Sequence, residues 1–456
     1  MIDLIALGGG AGAVAAALRA SQLGGKVILV GQRDVGGACV NRGCIPTKMF
    51  LGTADLLYQL KQSDDYGIQL GKADFTLARL VEKKQVLVEE VRKGTEDVLR
   101  TNGVEIIRGP GRIGANNEVT VNGRQLTGRN ILIATGSTPS TPDVKGMDAE
   151  GVISSEEALD LRELPKRMLI VDADPVGLEL ASIFNRFGTS VTLVERGPRI
   201  LPDEDHETGQ RLVLAMRRSG ITIELGSEVE VIEPDKQGLA VSLITGKGEK
   251  KVEVDKIIYS QRKPQVDGLK LPNLERKMGE LYVKVNDQMR TNMQGIFAIG
   301  DVVGGKYSHV ASAQGIVAAE CIMGKESRMN DRTLPHGIHT RPEVASVGLT
   351  QLEAEKRGIP ILVGKIPYAA NSRAMTLLNT VGAVKVIAGA KHQEILGVHI
   401  VGPHATELIS EAILGIQLEA TMEDLIRSIK LHPTLSEAMV DAARDALGIA
   451  LYLPKR

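Results

Sequence analysis

The sequence predicts an α/β chain with two nucleotide-binding βαβ units and a C-terminal α+β region. Three observations predict it. A short apolar run, a glycine-rich turn and an Ala-rich stretch open the chain. The same strand–turn–helix–strand order recurs from Arg167. Beyond residue 334 the pattern is strand-rich to about His399 and helical after it.

Taken in order, residues 2–7 (Ile-Asp-Leu-Ile-Ala-Leu) read as a buried strand. A helix runs to about Leu23, and a strand follows at Lys26–Val30. The charged stretch Phe75–Thr101 reads as a long helix packed on one face, and Asn130–Ala134 as a strand leading into Thr135-Gly136. The second unit comprises strand Met168–Val171, helix Gly177–Phe187 and strand Ser190–Glu195. Residues 201–255 alternate helix and strands. Boundaries near 141, 258 and 334 divide the chain into 1–140, 141–258, 259–333 and 334–456, since 456 residues exceed one ordinary core.

Composition narrows the function. A net charge of −1 gives no field to draw nucleic acid or acidic lipid, and aromatic residues at 3% with no Trp supply no stacking platform for bases. No apolar span is long enough to cross a membrane. The apolar opening has a Gly-Gly-Gly interruption and no basic segment before it, unlike a secretory signal. A cytoplasmic or equivalent reducing compartment is expected. There, two of three cysteines lying close together read as redox-active or metal-binding.

The first glycine turn is Gly8-Gly9-Gly10-Ala11-Gly12-Ala13. Gly8 permits the tight turn, Gly10 lets the backbone approach a pyrophosphate, and Ala13 lets helix and strand pack closely. The helix N-terminus would offer N–H groups to the phosphates. An acidic ribose partner is expected after strand Lys26–Val30, but Gly31 stands there.

The most informative stretch is GGACVNRGCIPTK, 36–48. Along a helix, Cys39 and Cys44 would be about 7.5 Å apart in rise, and a disulfide needs Cα atoms within about 7 Å, so the segment must bend at Gly43. Pro46 suits the first turn of a helix, which would put Cys44 at an N-terminus that favours thiolate. Two ordinary buried cysteines would explain neither the glycines nor Pro46. Zinc fits poorly, with no other Cys near, so no metal is expected.

At this point the chain resembles the FAD-dependent pyridine nucleotide–disulfide oxidoreductases, and among them the dihydrolipoamide dehydrogenases. The resemblance runs essentially end to end. It is carried by the cysteine stretch, ILIATGSTP (131–139), TNMQGIFAIGD (291–301), RPEVASVGLT (341–350), GVHIVGPHATELI (397–409) and HPTLSE (432–437). It implies two Rossmann-like domains, with 1–140 and 259–333 binding FAD and 141–258 built for NAD, and 334–456 as a dimerisation domain. By this resemblance the turn of Gly8, Gly10 and Ala13 holds FAD, Asp301 bonds the ribityl chain, and Thr135 and Gly136 make an adenine-side contact. Cys44 is implied to face the flavin and Cys39 to exchange with a dihydrolipoyl dithiol. Lys48 and Glu179 resemble an ion pair beside the flavin. His432 and Glu437 resemble an acid–base dyad serving the cysteines of the other subunit, so a homodimer is implied; a His base oriented by a carboxylate has the right chemistry.

The second turn departs from the family. It reads Asp172-Ala173-Asp174-Pro175-Val176-Gly177, with glycines expected at 172 and 174 and only Gly177 present. Asp174 would set a charge where the pyrophosphate lies. Two unit charges at 4 Å repel by about 4 kcal/mol at an effective dielectric of 20. Gln261 stands where a glycine is expected, while Glu195 ends its strand as an NAD-type ribose carboxylate would. The leading reading is therefore a dihydrolipoamide dehydrogenase-like oxidoreductase with NAD as a doubtful acceptor. The alternatives are a non-catalytic FAD-binding dimeric paralogue with a partner-binding role, and a disulfide reductase with a non-NAD acceptor.

Overall fold

The computed structural model describes residues 1–456 apart from 72–73, 115–116, 267–268, 270, 272, 278, 280, 306 and 455–456. Its first sheet has seven strands. Ile2–Leu7 lies between Val27–Gly31 and Arg124–Ile133, parallel to both. Because the strand order reverses there, the crevice for a ligand opens at the C-terminal ends of these strands, where the first glycine turn sits. Leu4, Ile5, Ala6 and Leu7 are buried from both faces, as a parallel strand covered by helices requires. Strand Ile296–Ala298 joins the sheet beside Arg124–Ile133 and delivers Asp301 to the same crevice, in a short 3₁₀ turn, Gly300–Val303, rather than in the strand itself.

The first helix, Ala11–Gln22, crosses helix Ser308–Ile322 at close range. A Cβ on Gly315 would lie 2.3 Å from the Gly12 carbonyl oxygen, and one on Gly12 would lie 2.7 Å from that of Ala311. Close helix packing thus depends on Gly12 as well as on buried Ala13, the residue singled out by the glycine pattern.

A second parallel sheet runs Thr222–Leu225, Ser190–Glu195, Arg167–Val171, Lys256–Tyr259, Val152–Ser154. Helix Pro175–Phe187 packs on it, starting two residues earlier than the apolar pattern suggests because Pro175 fits the first helical position. A three-stranded antiparallel sheet, 228–254, extends this region. The third body is a five-stranded antiparallel sheet with strands His336–Ile338, Glu343–Gly348, Ile395–Gly402, Ala383–Gly389 and Ile361–Pro367. Helices Ala405–Gln417 and Glu437–Ala446 lie in its hydrophobic cluster. Among the described residues, no helix is long and apolar enough to cross a membrane.

Candidate active site

The cysteine segment folds as two helices. Gly37–Arg42 ends at Gly43, and a new helix, Cys44–Lys61, begins at Cys44. The bend brings the two free thiols within hydrogen-bonding reach of each other. The Cys39 thiol donates to Cys44 and holds its pKa below the usual thiol range; burial works against this, while Ser308 and Lys48 add to it. The same bond pushes Cys39 the other way, so Cys39 keeps its proton while Cys44 is the thiolate.

Ser308 was not singled out by any motif. It opens helix Ser308–Ile322, and its Oγ lies 3.6 Å from Cys44 Sγ. Cys44 therefore stands at one helix N-terminus and beside a second, and both dipoles favour its anion. One turn into its own helix, Lys48 sends Nζ to 2.8 Å from each carboxylate oxygen of Glu179. Glu179 lies on helix Pro175–Phe187 and also accepts from the His339 backbone N–H at 2.9 Å. Burial disfavours its charge, but His339 and Lys48 together hold the carboxyl below its usual range.

A relay runs from the cysteine helix to Asp301. Arg42 Nε bonds Glu156 at 3.0 Å, Glu156 accepts from Arg262 at 2.8 Å, and Arg262 Nε donates to Ser137 Oγ at 2.8 Å. The Ser137 hydroxyl in turn donates to Asp301 Oδ2. This arrangement aims the Asp301 carboxylate by charge-assisted bonds. Sequence spacing gives no signal for it, since each bonded pair is more than 100 positions apart.

The residues fit a flavin dinucleotide. Gly10 is the N-cap of helix Ala11–Gln22, with no side chain capping it, and a Cβ on Gly10 would meet nothing within 4 Å. Gly8 has φ +130°, and a Cβ there would lie 2.0 Å from the Ala134 carbonyl oxygen. The turn thus leaves an open space facing free helix N–H groups. Gly136 has φ +72°, and the Thr135 hydroxyl donates to the Gln265 carbonyl at 2.7 Å, so its backbone is what remains for a ligand.

The second turn is different. Asp174 is the N-cap of helix Pro175–Phe187 and accepts from Gly177 N–H at 2.7 Å. Glu195 accepts from Ala173 N–H at 2.9 Å and Gly197 N–H at 2.6 Å. Gly177 is required where it stands: a Cβ would lie 2.2 Å from the Asp172 carbonyl oxygen. Donors expected to face a pyrophosphate are bonded to carboxylates of the chain.

His432 and Glu437 do pair, with Nδ1 2.9 Å from Oε1. Glu437 also accepts from Thr434 N–H at 2.8 Å. Among the described residues, no hydrogen bond or ion pair links this dyad to Cys39 or Cys44 of the same chain. The His432 side chain is 69% exposed, and Ile429 and Leu431 beside it are 99% and 82% exposed.

Comparison with known proteins decides the relationship. Residues 2–315 match the model of the pyridine nucleotide-disulphide oxidoreductase family, and residues 334–443 match that family's dimerisation domain. The chain belongs to the pyridine nucleotide-disulphide oxidoreductases. It is 39% identical to a dihydrolipoyl dehydrogenase of Thermus scotoductus, covering 100% of this chain and 99% of the relative. It is 34% identical to the dihydrolipoyl dehydrogenase of Bacillus subtilis, with 99% of each covered. Among solved structures, the HOCl-induced flavoprotein disulfide reductase RclA from Escherichia coli superposes with TM-score 0.86 at 26% identity, covering 96% of this chain and 99% of that one. LpdA from Mycobacterium tuberculosis shares the fold, with TM-score 0.89 at 24% identity over 97% and 98% of the two chains. The chain is thus an FAD-dependent disulfide oxidoreductase of the dihydrolipoyl dehydrogenase type, with a dimerisation domain of its family; the family's cofactors are FAD and NAD(H).

Proposed function

We propose that this oxidoreductase takes two electrons from a dihydrolipoyl dithiol, with Cys39 as the exchanging sulfur and Cys44 as the flavin-side sulfur. The observation that carries the reading is the poise of the pair: a thiolate at Cys44 between two helix N-termini, and a protonated Cys39 next to it.

The steps follow from thiol–disulfide exchange. In the oxidised pair, Cys39 and Cys44 are joined. One substrate thiol gives its proton to the partner subunit's His432, and its sulfur attacks Cys39 Sγ. The Cys39–Cys44 bond breaks and Cys44 leaves as thiolate, stabilised by Ser308, Lys48 and the helix ends. The second substrate sulfur then attacks the first, passing its proton to Cys39, which leaves as a thiol. The product is a cyclic disulfide. Its two electrons now reside on Cys39 and Cys44, with one proton on Cys39 and one on the imidazolium. Glu437 orients His432 and favours that imidazolium. FAD, when bound in the Gly8–Ala13 cradle, supplies the two-electron acceptor beside Cys44, and Asp301 would hold its ribityl chain.

Exposure of His432 among apolar neighbours supports its service to a partner subunit. The sheets support a division of the chain into two FAD-binding segments, an NAD-type domain and an interface domain at 1–140, 259–333, 141–258 and 334–456. Strand Lys256–Tyr259 of the second sheet lies across the boundary at 258.

An anaerobic titration of the purified holoprotein with dihydrolipoamide tests the proposal. Flavin bleaching with a long-wavelength thiolate-to-flavin absorbance is expected, and that absorbance is lost in Cys44→Ser. An unchanged spectrum with excess dihydrolipoamide would rule the substrate out.

A further inference from the structure

We infer that this chain closes its second glycine turn to pyridine dinucleotides with its own carboxylates, Asp174 standing where a pyrophosphate would. The inference constrains the second half of the reaction proposed above and rests on that reading for its meaning, though the two are tested apart.

The chain carries its own control. Its two βαβ units present the same element, a helix N-terminus following a parallel strand. At the first, Gly10 leaves the helix end uncapped and the space in front of it open. At the second, the Asp174 carboxylate accepts from Gly177 N–H at 2.7 Å and neutralises the positive end of the helix dipole. Anion-binding donors are thereby removed from any ligand.

The rest of the turn is closed in the same way. Glu195, placed to meet a ribose, has one carboxylate oxygen on Ala173 N–H and the other on Gly197 N–H. Asp172 takes the left-handed conformation, φ 75°, that a glycine would adopt without strain. One of its carboxylate oxygens is buried with no hydrogen-bond partner, and the Gln261 side chain faces it. Three acidic side chains therefore surround one turn, and Arg196 is the cation placed against Asp172. A dinucleotide would have to break the Asp174 cap and set two phosphate charges beside these carboxylates. An effect on the order of a thousandfold on affinity follows from like charges at such range.

The test is equilibrium binding of NADH to the flavin-loaded protein at pH 8. Burial pushes the Asp174 carboxyl up to about 6, so it is charged at that pH. Asp172→Gly/Asp174→Gly is expected to bind NADH at least tenfold more tightly than the natural protein. Asp174→Asn keeps a capping oxygen and removes the charge; it is expected to show a smaller gain of the same sign, and it guards against a double variant that fails to fold. Flavin reduction by dihydrolipoamide is expected to be the same in all three. Micromolar NADH binding by the natural protein, or no gain in a folded, flavin-loaded Asp174→Asn, would overturn the inference. Failure of dihydrolipoamide to reduce the flavin, with weak NADH binding retained, would count against the proposed substrate and leave this inference standing.

Discussion

The hydroxyl of Ser308 lies 3.6 Å from the Cys44 sulfur, joining residues 264 positions apart. It sits on the side where Cys44 meets the end of helix Ser308–Ile322 and favours the thiolate. Replacing Ser308 with Ala removes one hydrogen bond to the thiolate, worth about 1.5–3 kcal/mol, or roughly one to two pKa units. The thiolate-to-flavin absorbance of the two-electron-reduced protein, present above the Cys44 pKa and lost as pH falls through it, is expected to titrate at correspondingly higher pH. A titration curve that superposes on that of the natural protein would show that Ser308 plays no part.

His432→Gln is expected to slow dithiol oxidation by roughly 10²–10⁴-fold, the range for loss of a general base. Glu437→Gln is expected to cost less, because it leaves the base in place. Burial opposes charge on Glu437, but Thr434 N–H and His432 hold its carboxyl below the usual range, so it stays ionised at working pH. A purified mixed dimer of Cys44→Ser and His432→Gln chains contains one intact site by symmetry and is expected to recover about half the natural activity. An inactive mixed dimer would show that each dyad serves its own chain.

Gly31→Glu supplies the ribose carboxylate missing at the end of strand Val27–Gly31. A Cβ there would lie 3.2 Å from the Arg33 carbonyl oxygen, a contact that a few tenths of an ångström of movement relieves. Slower loss of FAD on dilution into mild chaotrope is expected, followed by the rise of free-flavin fluorescence. Equal loss from both proteins would mean that the carboxylate is not what limits retention.

Asp174 also predicts a pH-dependent stability. Burial raises its folded-state pKa from 3.8 to about 6. Its stabilising contribution is therefore fully present below pH 3.8 and is lost as pH rises through 6. Asp174→Asn removes this dependence while keeping the cap. At pH 8 the variant is expected to be more stable by at most about 3 kcal/mol, at about 1.4 kcal/mol per pKa unit, and by less to the extent that water reaches the partly exposed residue. Near pH 4 the difference is expected to vanish. Chemical denaturation at the two pH values measures it, and a constant gap would exclude titration of Asp174 as the cause.

Much of the molecule was legible in the sequence because its signals are local. Strand Ile2–Leu7, its glycine turn and the helix after it follow from apolar periodicity and the backbone freedom of Gly8. The bend at Gly43 and the helix start at Cys44 follow from disulfide reach and the fit of Pro46. The pairing of His432 with Glu437 was legible through the family resemblance of HPTLSE, and the two lie five positions apart. Even the closure of the second turn was visible, as carboxylates at 172 and 174 where glycines were expected. Only the tertiary structure decided that Ser308 touches Cys44 and that Arg42, Glu156, Arg262 and Ser137 lead to Asp301. Only it decided that Glu195 turns back to the loop's own N–H groups rather than out toward a ribose. Turn chemistry and periodicity act over a few residues, whereas these partners are set by how separate sheets and helices pack, which no local spacing encodes.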